Sequence, residues 1–151
     1  MLDDTDRRIL RQFQVQPDLT TNELAERCGL TPATCWRRLE KMQASGVVLG
    51  KEAIIDWAAL GYAVEVSLRV TLDKTQPLAF DEFVAAARLI PEVLEIQTFL
   101  GRVDVRLSVI ARDMAHYQTI YRGRILTLPH IADIEALMHI ARVKTNEALP
   151  I

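Results

Sequence analysis

Basic and hydroxyl side chains gather along one predicted helix that starts at Thr31-Pro32 and ends near Ala44. At 100° per residue, Thr34, Arg37 and Lys41 fall on one side of this helix. The opposite side carries an apolar stripe, which consists of Cys35, Leu39 and Met42. Cationic and hydroxyl groups on a free helix face are suited to the phosphates and base edges of duplex DNA. The candidate residues for such a contact are Thr31, Pro32, Ala33, Thr34, Trp36, Arg37, Arg38 and Lys41.

Several of these side chains have more than one interpretation. Arg37 either bonds a guanine with two donors or holds a phosphate, and a helix face that only contacts water is the alternative for both Arg37 and Lys41. Arg38 lies toward the packed side, where it either contacts DNA or pairs with an acidic neighbour. Trp36 stands at the edge of the apolar stripe and either packs or touches a base. Periodicity alone does not separate these roles.

Two further helices precede the one that carries the basic face. An Asp-rich start followed by apolar residues at helical spacing predicts the first over residues 4–15. Residues 20–23, Thr-Thr-Asn-Glu, form a capping-box pattern that starts the second, and Gly29 interrupts it. Thr31 as N-cap and Pro32 at the first helical position then start the third helix. Two helices separated by so few residues indicate a helix-turn-helix.

The chain changes character after the third helix. Residues 47–51 and 53–56 are predicted as short strands of a β-ribbon, which would complete a winged helix-turn-helix of three helices plus that ribbon. We place the helix-turn-helix domain at 1–50, a linker at 51–61 and a second domain at 62–151.

The second domain alternates strands and helices in a regular order. Alternation of apolar and polar residues over 64–72 predicts a long half-buried strand, and helical spacing follows over 80–90. The later predicted elements are strands at 93–100 and 105–110, a helix from Asp113, and a strand at 134–140. This β-α-β-β-α-β order is that of a ferredoxin-like domain, so the whole chain is assigned to the α+β class.

The predicted sheet has helices on one face only. Its second face is expected to be partly apolar, and large bare apolar patches are rare on monomers, so we expect a homodimer. A two-fold dimer would present two recognition helices. Its partner would be double-stranded DNA with an approximate inverted repeat, the half-sites about 34 Å apart or a multiple of that.

The connection at residues 101–104, Gly-Arg-Val-Asp, is the most chemically loaded stretch of the second domain. Gly101 lets a ligand approach the backbone, and Arg102 and Asp104 carry charges. Gly and Asp are also ordinary turn residues, so a purely structural turn is the alternative. Met114 either lines the same cleft or packs in the core. The candidate effector-binding residues are Gly101, Arg102, Asp104 and Met114.

Composition excludes several classes of protein. Half of the 151 residues are hydrophobic, which argues against wholesale disorder. The net charge is −2, but residues 1–51 hold eight basic against seven acidic side chains, so an anion-binding surface is expected in the first third. No run approaches the ~20 apolar residues of a membrane span. We expect a cytoplasmic protein with no membrane partner.

Enzymatic chemistry finds little support in the sequence. The three histidines show no metal-ligand spacing, and Cys28 and Cys35 lack a second cysteine pair and are expected to be buried apolar residues. No Ser/His/Asp grouping and no glycine-rich phosphate loop is evident. We therefore expect no catalytic residues, no metal and no cofactor. The alternative is an enzyme, or an effector-binding module without DNA binding, on the same architecture.

The chain resembles the leucine-responsive/asparagine-regulator (Lrp/AsnC) transcription factors along essentially its whole length. The stretches that carry the likeness are Leu2-Asp3, Asp6, Ile9-Leu10, Glu23-Leu24-Ala25, Leu30-Thr31-Pro32, the run from Cys35 to Glu40, Gly46-Val47-Val48, Pro91-Glu92-Val93, Gly101 with Asp104, Leu128-Pro129, and Lys144. Their order and spacing together are specific. Two departures lie in the second domain: His130 follows Pro129 where the family usually has Gly, and Val105 replaces an aromatic residue often seen there.

The resemblance implies a regulator that binds DNA in a sequence-specific manner and responds to a small molecule, usually an amino acid. It also implies that dimers form through the second domain and assemble further, into a tetramer or octamer. By the same resemblance, Asp104 would pair with the α-ammonium group of the effector. Some relatives of the family work on tetrapyrroles instead of genes, and the basic third helix points away from that role.

Overall fold

The computed structural model describes residues 1–145 and 148–151, and the chain forms two compact units. The first contains Met1–Ile54 together with Val143–Ile151, and the second contains Ile55–Arg142. Each unit has its own hydrophobic core. The sequence analysis placed a helix-turn-helix domain at 1–50, a linker at 51–61 and a second domain at 62–151. These boundaries stay a prediction. Within the described residues, no helix is long and apolar enough to span a bilayer.

The first unit is built on three helices, α1 (Asp4–Val15), α2 (Thr21–Arg27) and α3 (Pro32–Ala44). All three were predicted from caps and apolar spacing, and those predictions are confirmed. Their apolar stripes meet in one core, because each helix can remove its stripe from water only by packing against the others. The buried core residues are Ile9, Phe13, Leu24, Ala25, Cys28, Cys35 and Met42.

The β-ribbon predicted at residues 47–51 and 53–56 is wrong for this chain, since residues 45–63 form no strand. The backbone explains this. The amides of Val47 and Val48 both donate to the carbonyl of Met42, at 2.9 and 3.1 Å, and so close the carboxyl end of α3. Gly46 permits this turn with φ of 75°. Amides used in a helix cap are not available to a strand partner.

The second unit contains a four-stranded antiparallel sheet in the order β2-β3-β1-β4. In chain order its elements are β1 (Val64–Leu72), α4 (Ala79–Ala87), β2 (Val93–Thr98), β3 (Val105–Ala111), α5 (Met114–Ile120) and β4 (Ile131–Met138). This order and topology confirm the predicted ferredoxin-like α+β fold. β1 and β3 are the central strands, with Leu68 opposite Leu107.

The core of the second unit lies between the sheet and its two helices. Alternate residues of β1 and β3 face the helices and are buried, including Leu68 and Leu107, and Phe83 of α4 packs into the same cluster. The opposite face of the sheet is mixed rather than simply apolar. It carries Ser67 opposite Ser108 and Arg69 opposite Arg106. Two copies that met through this face would therefore bring polar and charged side chains together.

Two backbone features near the end of α5 were not predicted. The helix continues as a π-helical turn over Tyr121–Ile125 before the chain enters β4. His130 then takes a left-handed conformation with φ of 65°. This is the position at which the sequence departs from the family's glycine, and an L side chain with a Cβ atom is strained there.

Candidate functional site

The starts of α2 and α3 are held by the caps that the sequence predicted. The amide of Glu23 donates to the Thr20 hydroxyl at 3.3 Å, while the amide of Thr20 donates to the Glu23 carboxylate at 2.8 Å. At the start of α3, the amide of Thr34 donates to the Thr31 hydroxyl at 3.3 Å. Gly29 between the helices has φ of 62°. Local chemistry alone therefore fixes where α3 begins.

The inner side of α3 is fully packed. Cys35 and Met42 are buried against the other two helices, and Leu39 packs at the edge of the core. Burial raises the pKa of the Cys28 and Cys35 thiols, because the thiolate form is poorly solvated there. Both cysteines are thus inert core residues, as expected from the sequence.

The outer side of α3 presents the predicted DNA contacts to solvent. Thr31, Pro32, Ala33, Arg37 and Lys41 are exposed, and Thr34 is half-buried. The Thr31 hydroxyl donates to the Thr34 hydroxyl at 2.9 Å. Among residues 1–145 and 148–151, no ion pair involves Arg37 or Lys41. Arg37 and Lys41 are therefore exposed cations, one helical turn apart, with no ion-pair partner in the part of the chain that the structure describes.

Arg38, which follows Arg37 in the sequence, pairs with acidic neighbours, one of the two roles that the sequence left open. Its Nη1 donates to Asp3 at 2.7 Å and to Asp6 at 2.8 Å. The side chain of Asp6 is only 14% exposed and that of Arg38 27% exposed, so this bridge is partly shielded from water. Arg38 thereby joins α3 to the amino end of α1, and the structure favours its pairing role over a contact with DNA.

The same bridge alters the ionisation of its members. The pKa of Asp3 is lowered, first because its carboxylate accepts the amide of Asp6 and then because it accepts the Arg38 guanidinium. The pKa of Arg38 is raised by its hydrogen bonds to Asp3 and Asp6. Asp3 also caps α1, so one carboxylate both starts that helix and holds α3.

Trp36 is exposed over 55% of its surface and lines a shallow depression with Leu39, Glu40 and Lys51. It is therefore neither a core residue nor fully free. This placement leaves both predicted uses of Trp36, packing at the edge of the stripe and contact with a base, as hypotheses.

In the second unit, the 101–104 connection is tied to the end of β1. The Thr71 hydroxyl donates to the Arg102 carbonyl at 2.9 Å, and the Lys74 ammonium lies 3.5 Å from the Gly101 carbonyl. Asp104 accepts the amide of Leu72 at 2.8 Å through Oδ2. Its Oδ1 lies 3.8 Å from the Lys74 ammonium. Asp104 therefore has a structural function, whether or not it binds a ligand.

Met114 and the 101–104 connection lie at opposite ends of β3, and a shared cleft stays a prediction. The 101–104 connection precedes β3 and Met114 follows it. β3 is 7 residues long, and at ~3.3 Å per residue its ends lie roughly 20 Å apart. Met114 is part-exposed at the start of α5 instead of buried in the core. A Cβ atom added at Gly101, whose φ is 152°, would meet no other atom within 4 Å.

A second concave region of this unit was missed by the sequence analysis. Arg142 lies 5.1 Å from the ring centroid of Trp57 and donates to Glu65 at 2.7 Å. His139 lies 3.5 Å from the same carboxylate. They line a pocket of about 190 Å³. Its residues come from three separated segments, so no local sequence signal could have revealed it.

In the described part of the chain, no group of three or more His, Cys, Asp or Glu side chains is placed so that it could hold a metal ion.

Comparisons with known proteins agree with this geometry. Residues 2–48 match a winged helix-turn-helix DNA-binding family, and residues 65–149 match the Lrp/AsnC ligand binding domain. The chain is 28% identical over 151 residues to the DNA-binding transcriptional activator DecR of Escherichia coli K12, covering all of this chain and 99% of that protein. It is 33% identical over 132 residues to the proline dehydrogenase transcriptional activator of Rhodobacter capsulatus, covering 87% and 86% of the two chains.

Solved structures show the same likeness. A transcriptional regulator from Neisseria meningitidis, determined in complex with L-Met, has a TM-score of 0.90 and 28% identity and covers 99% of this chain and 97% of that one. An AsnC family transcriptional regulator from Agrobacterium tumefaciens has a TM-score of 0.88 and 30% identity, with the same coverage.

A helix-turn-helix with a free basic face, followed by a ligand-binding ferredoxin-like domain, defines a DNA-binding transcription regulator. The chain belongs to the Lrp/AsnC family. The members named above are transcription regulators, so the resemblance predicted from the sequence is confirmed.

Proposed function

We propose that the chain acts as a homodimer on an approximate inverted repeat in double-stranded DNA, with the outer face of α3 in the major groove. The observation that carries this proposal is the division of α3 into a buried stripe and an outer face on which Arg37 and Lys41 have no described ion-pair partner. Cations left uncompensated on a helix of this size are suited to DNA. The proposed activity is regulatory, without a catalytic step, and located in the cytoplasm.

Within this face, position along α3 suggests separate tasks. The amino-terminal residues of a recognition helix usually meet base edges, which favours Ala33 and Thr34 as base contacts. Lys41, nearer the carboxyl end of α3, suits a phosphate. Arg37 lies between Thr34 and Lys41 along α3, and its guanidinium is suited to either a guanine or a phosphate.

The decisive experiment is a DNA titration of an Arg37→Ala variant against duplexes selected from a random library by the wild-type chain. We expect affinity to fall by ~1–3 kcal/mol, with relaxed sequence preference if Arg37 contacts a base and a uniform loss if it contacts a phosphate. Arg88→Ala is the matched control, because Arg88 is an exposed arginine of the second unit. Unchanged titration curves for Arg37→Ala would remove it from the interface.

Dimerisation is proposed to use the open face of the sheet. There Arg69 and Arg106 stand opposite each other on the central strands, and each lies near a carboxylate of an outer strand, Glu135 at 3.9 Å and Glu95 at 3.8 Å. The small Ser67 and Ser108 beside them allow a second copy to approach closely. In an isologous contact, the arginines of one copy can meet the carboxylates of the other. Sedimentation at micromolar concentration tests this, and a monomer would contradict it; the same run distinguishes a dimer from a tetramer or octamer.

The effector is proposed to be an amino acid bound at the 101–104 connection. Support comes from the solved Neisseria relative that holds L-Met and from the local charges. Asp104 Oδ1 accepts no backbone amide of the described residues and suits an α-ammonium, and Lys74 beside it suits an α-carboxylate. Since Met114 lies at the far end of β3, it would line this site only if a second copy supplied it.

Substitution of Asp104 separates its two uses. Asp104→Asn keeps an oxygen that can accept the Leu72 amide, so the fold should persist while ammonium binding weakens by ~1.5–3 kcal/mol, on the order of 10- to 100-fold. A panel of amino acids is screened by thermal shift and the positive ones by calorimetry. Asp81→Asn, at an exposed position of α4, is the control. An Asp104→Asn variant with wild-type response to the effector would exclude the carboxylate from the site.

A further inference from the structure

Residues 148–151 lie against α1 of the first unit and bond to it through their backbone. The Gln14 amide nitrogen donates to the Leu149 carbonyl at 3.0 Å, and the Leu149 amide donates to the Gln14 side-chain oxygen at 2.8 Å. Arg11 Nε donates to the Ile151 carbonyl oxygen. The Ile151 amide donates to the Leu149 carbonyl at 2.9 Å, which folds the segment into a compact turn. One glutamine thus satisfies both backbone groups of one residue, as a neighbouring strand would.

The surroundings of this segment are apolar. Leu149 and Ile151 line a cleft of about 760 Å³ together with Leu10 and Phe13 of α1 and with residues 47–53. The Lys51 ammonium lies 5.5 Å from the ring centroid of Phe13, within the range of a cation–π contact. A polar two-point anchor beside an apolar cleft is the usual composition of a peptide-binding groove.

We propose that this face of α1 is a peptide-docking surface whose occupant is the chain's own 148–151 segment, and that the docked segment helps to hold the recognition helix. The second part of this inference rests on the proposed function. The connection is contiguous: the segment contacts α1 at Arg11 and Gln14, and the amino end of α1 contacts α3 through the bridge between Arg38 and its two aspartates.

Chain connectivity gives this contact a regulatory meaning. The polypeptide passes between the two units twice, at residues 54–55 and again at 142–143. The ligand-binding unit is therefore joined covalently to α1 and α3 at one end, and to the docked segment at the other. A ligand of the second unit that favours the docked or the released state of residues 148–151 can bias docking, and through α1 the order of α3.

Hydrogen exchange on the full chain tests the docking directly. Gln14→Ala removes both bonds to Leu149, and we expect amides of α1 to exchange about 3- to 10-fold faster, as for the loss of hydrogen bonds of ordinary strength. Gln12→Ala is the matched control on the same helix and should leave exchange unchanged. Equal exchange in wild type and Gln14→Ala would overturn the proposal.

A cycle with a shortened chain distinguishes docking from a role of Gln14 within α1 itself. In a variant that ends at Glu147, α1 should exchange as fast as in Gln14→Ala, and adding Gln14→Ala should then change nothing further. An effect of Gln14→Ala that persists in the shortened chain would overturn the proposal, because Gln14 would be acting without the segment.

The hold on α3 is tested with DNA. Duplexes selected by the wild-type chain should bind the shortened chain about 3- to 10-fold more weakly, because α3 is then less well ordered. Wild-type affinity in the shortened chain would overturn this part while leaving docking intact. Failure of the wild-type chain to select any duplex would contradict the proposed function instead, and the exchange measurements would be unaffected.

Discussion

The outer face of α3 and the 101–104 connection are both exposed polar sites, but they are built in different ways. The face of α3 comes from neighbouring residues, is started by the Thr31 cap and needs only a buried stripe behind it. The 101–104 connection is positioned by Thr71, Leu72 and Lys74, some thirty residues earlier in the chain. One small protein thus contains both a site built from neighbouring residues and a site built by long-range contacts.

On α3, different residues serve binding and stability. In the 101–104 connection, one residue serves both. On α3, Arg37 is free for a partner while its neighbour Arg38 is committed to Asp3 and Asp6. In the second unit, the single side chain of Asp104 accepts a backbone amide through one oxygen and offers the other. Substitutions on α3 should therefore affect either DNA binding or folding, whereas loss of the Asp104 side chain should affect both ligand binding and folding.

The largest effect that would sharpen this comparison is expected at Arg38. Arg38→Ala leaves the largely shielded Asp6 carboxylate without its charged partner and should lower the free energy of unfolding well beyond the effect of a surface substitution. Arg37→Ala, at the next position, should change it by less than ~0.5 kcal/mol, as for other surface substitutions. Urea unfolding of both variants measures the difference. Equal losses would show that α3 does not divide its tasks between these arginines.

A smaller effect is expected at His130, where the second unit holds a side chain in a left-handed conformation. His130→Gly and His130→Ala both remove the contact with Glu82, so their difference reports only the backbone. We expect the Gly variant to be more stable by ~1 kcal/mol. Position 132, which is exposed in β4 and is Ala in the wild type, is the control. There the Gly variant should be less stable than Ala, since Gly weakens a strand. A more stable Ala variant at 130 would contradict the assigned strain.

The smallest effect is a dependence of stability on acid pH in the first unit. Because the folded-state pKa of Asp3 is lowered, its contribution is present above the unfolded-state value and is lost as pH falls through the folded-state pKa. Glu23 acts in the same direction, through the Thr20 amide and hydroxyl. Unfolding of the wild-type chain between pH 6 and 3 should therefore show a steeper decline than that of Asp3→Asn. Asp4→Asn, in the same turn, should follow the wild type.

Much of the first unit could be predicted because its signals are local. Thr20, Glu23, Thr31 and Pro32 act within one helical turn, so their spacing in the sequence is their spacing in space. The predicted ribbon failed for the same reason, since a strand depends on a distant partner while Val47 and Val48 found a nearer acceptor in Met42. The periodicity of α3 likewise identified the exposed side of Arg37 correctly.

The candidate ligand site was less predictable. The types of Gly101 and Asp104 marked a turn, but their partners on β1 became visible only when β1 and β3 paired. The π-helical turn at Tyr121–Ile125 and the left-handed conformation of His130 are not signalled by the residue types that this chain has there. Met114 follows β3 and the 101–104 connection precedes it, so only the strand's length shows how far apart they lie within one chain.

The sequence by itself determined the helices of the first unit, the strand and helix order of the second, and the division of α3 into buried and exposed sides. All of these depend on interactions within a few residues of the chain. Only the tertiary structure decided that Arg38 bridges to α1, that Asp104 caps a distant strand and that residues 148–151 rest on Gln14. Those contacts join residues separated by 32 to 135 positions, and no local pattern encodes which distant groups will meet once two cores have packed.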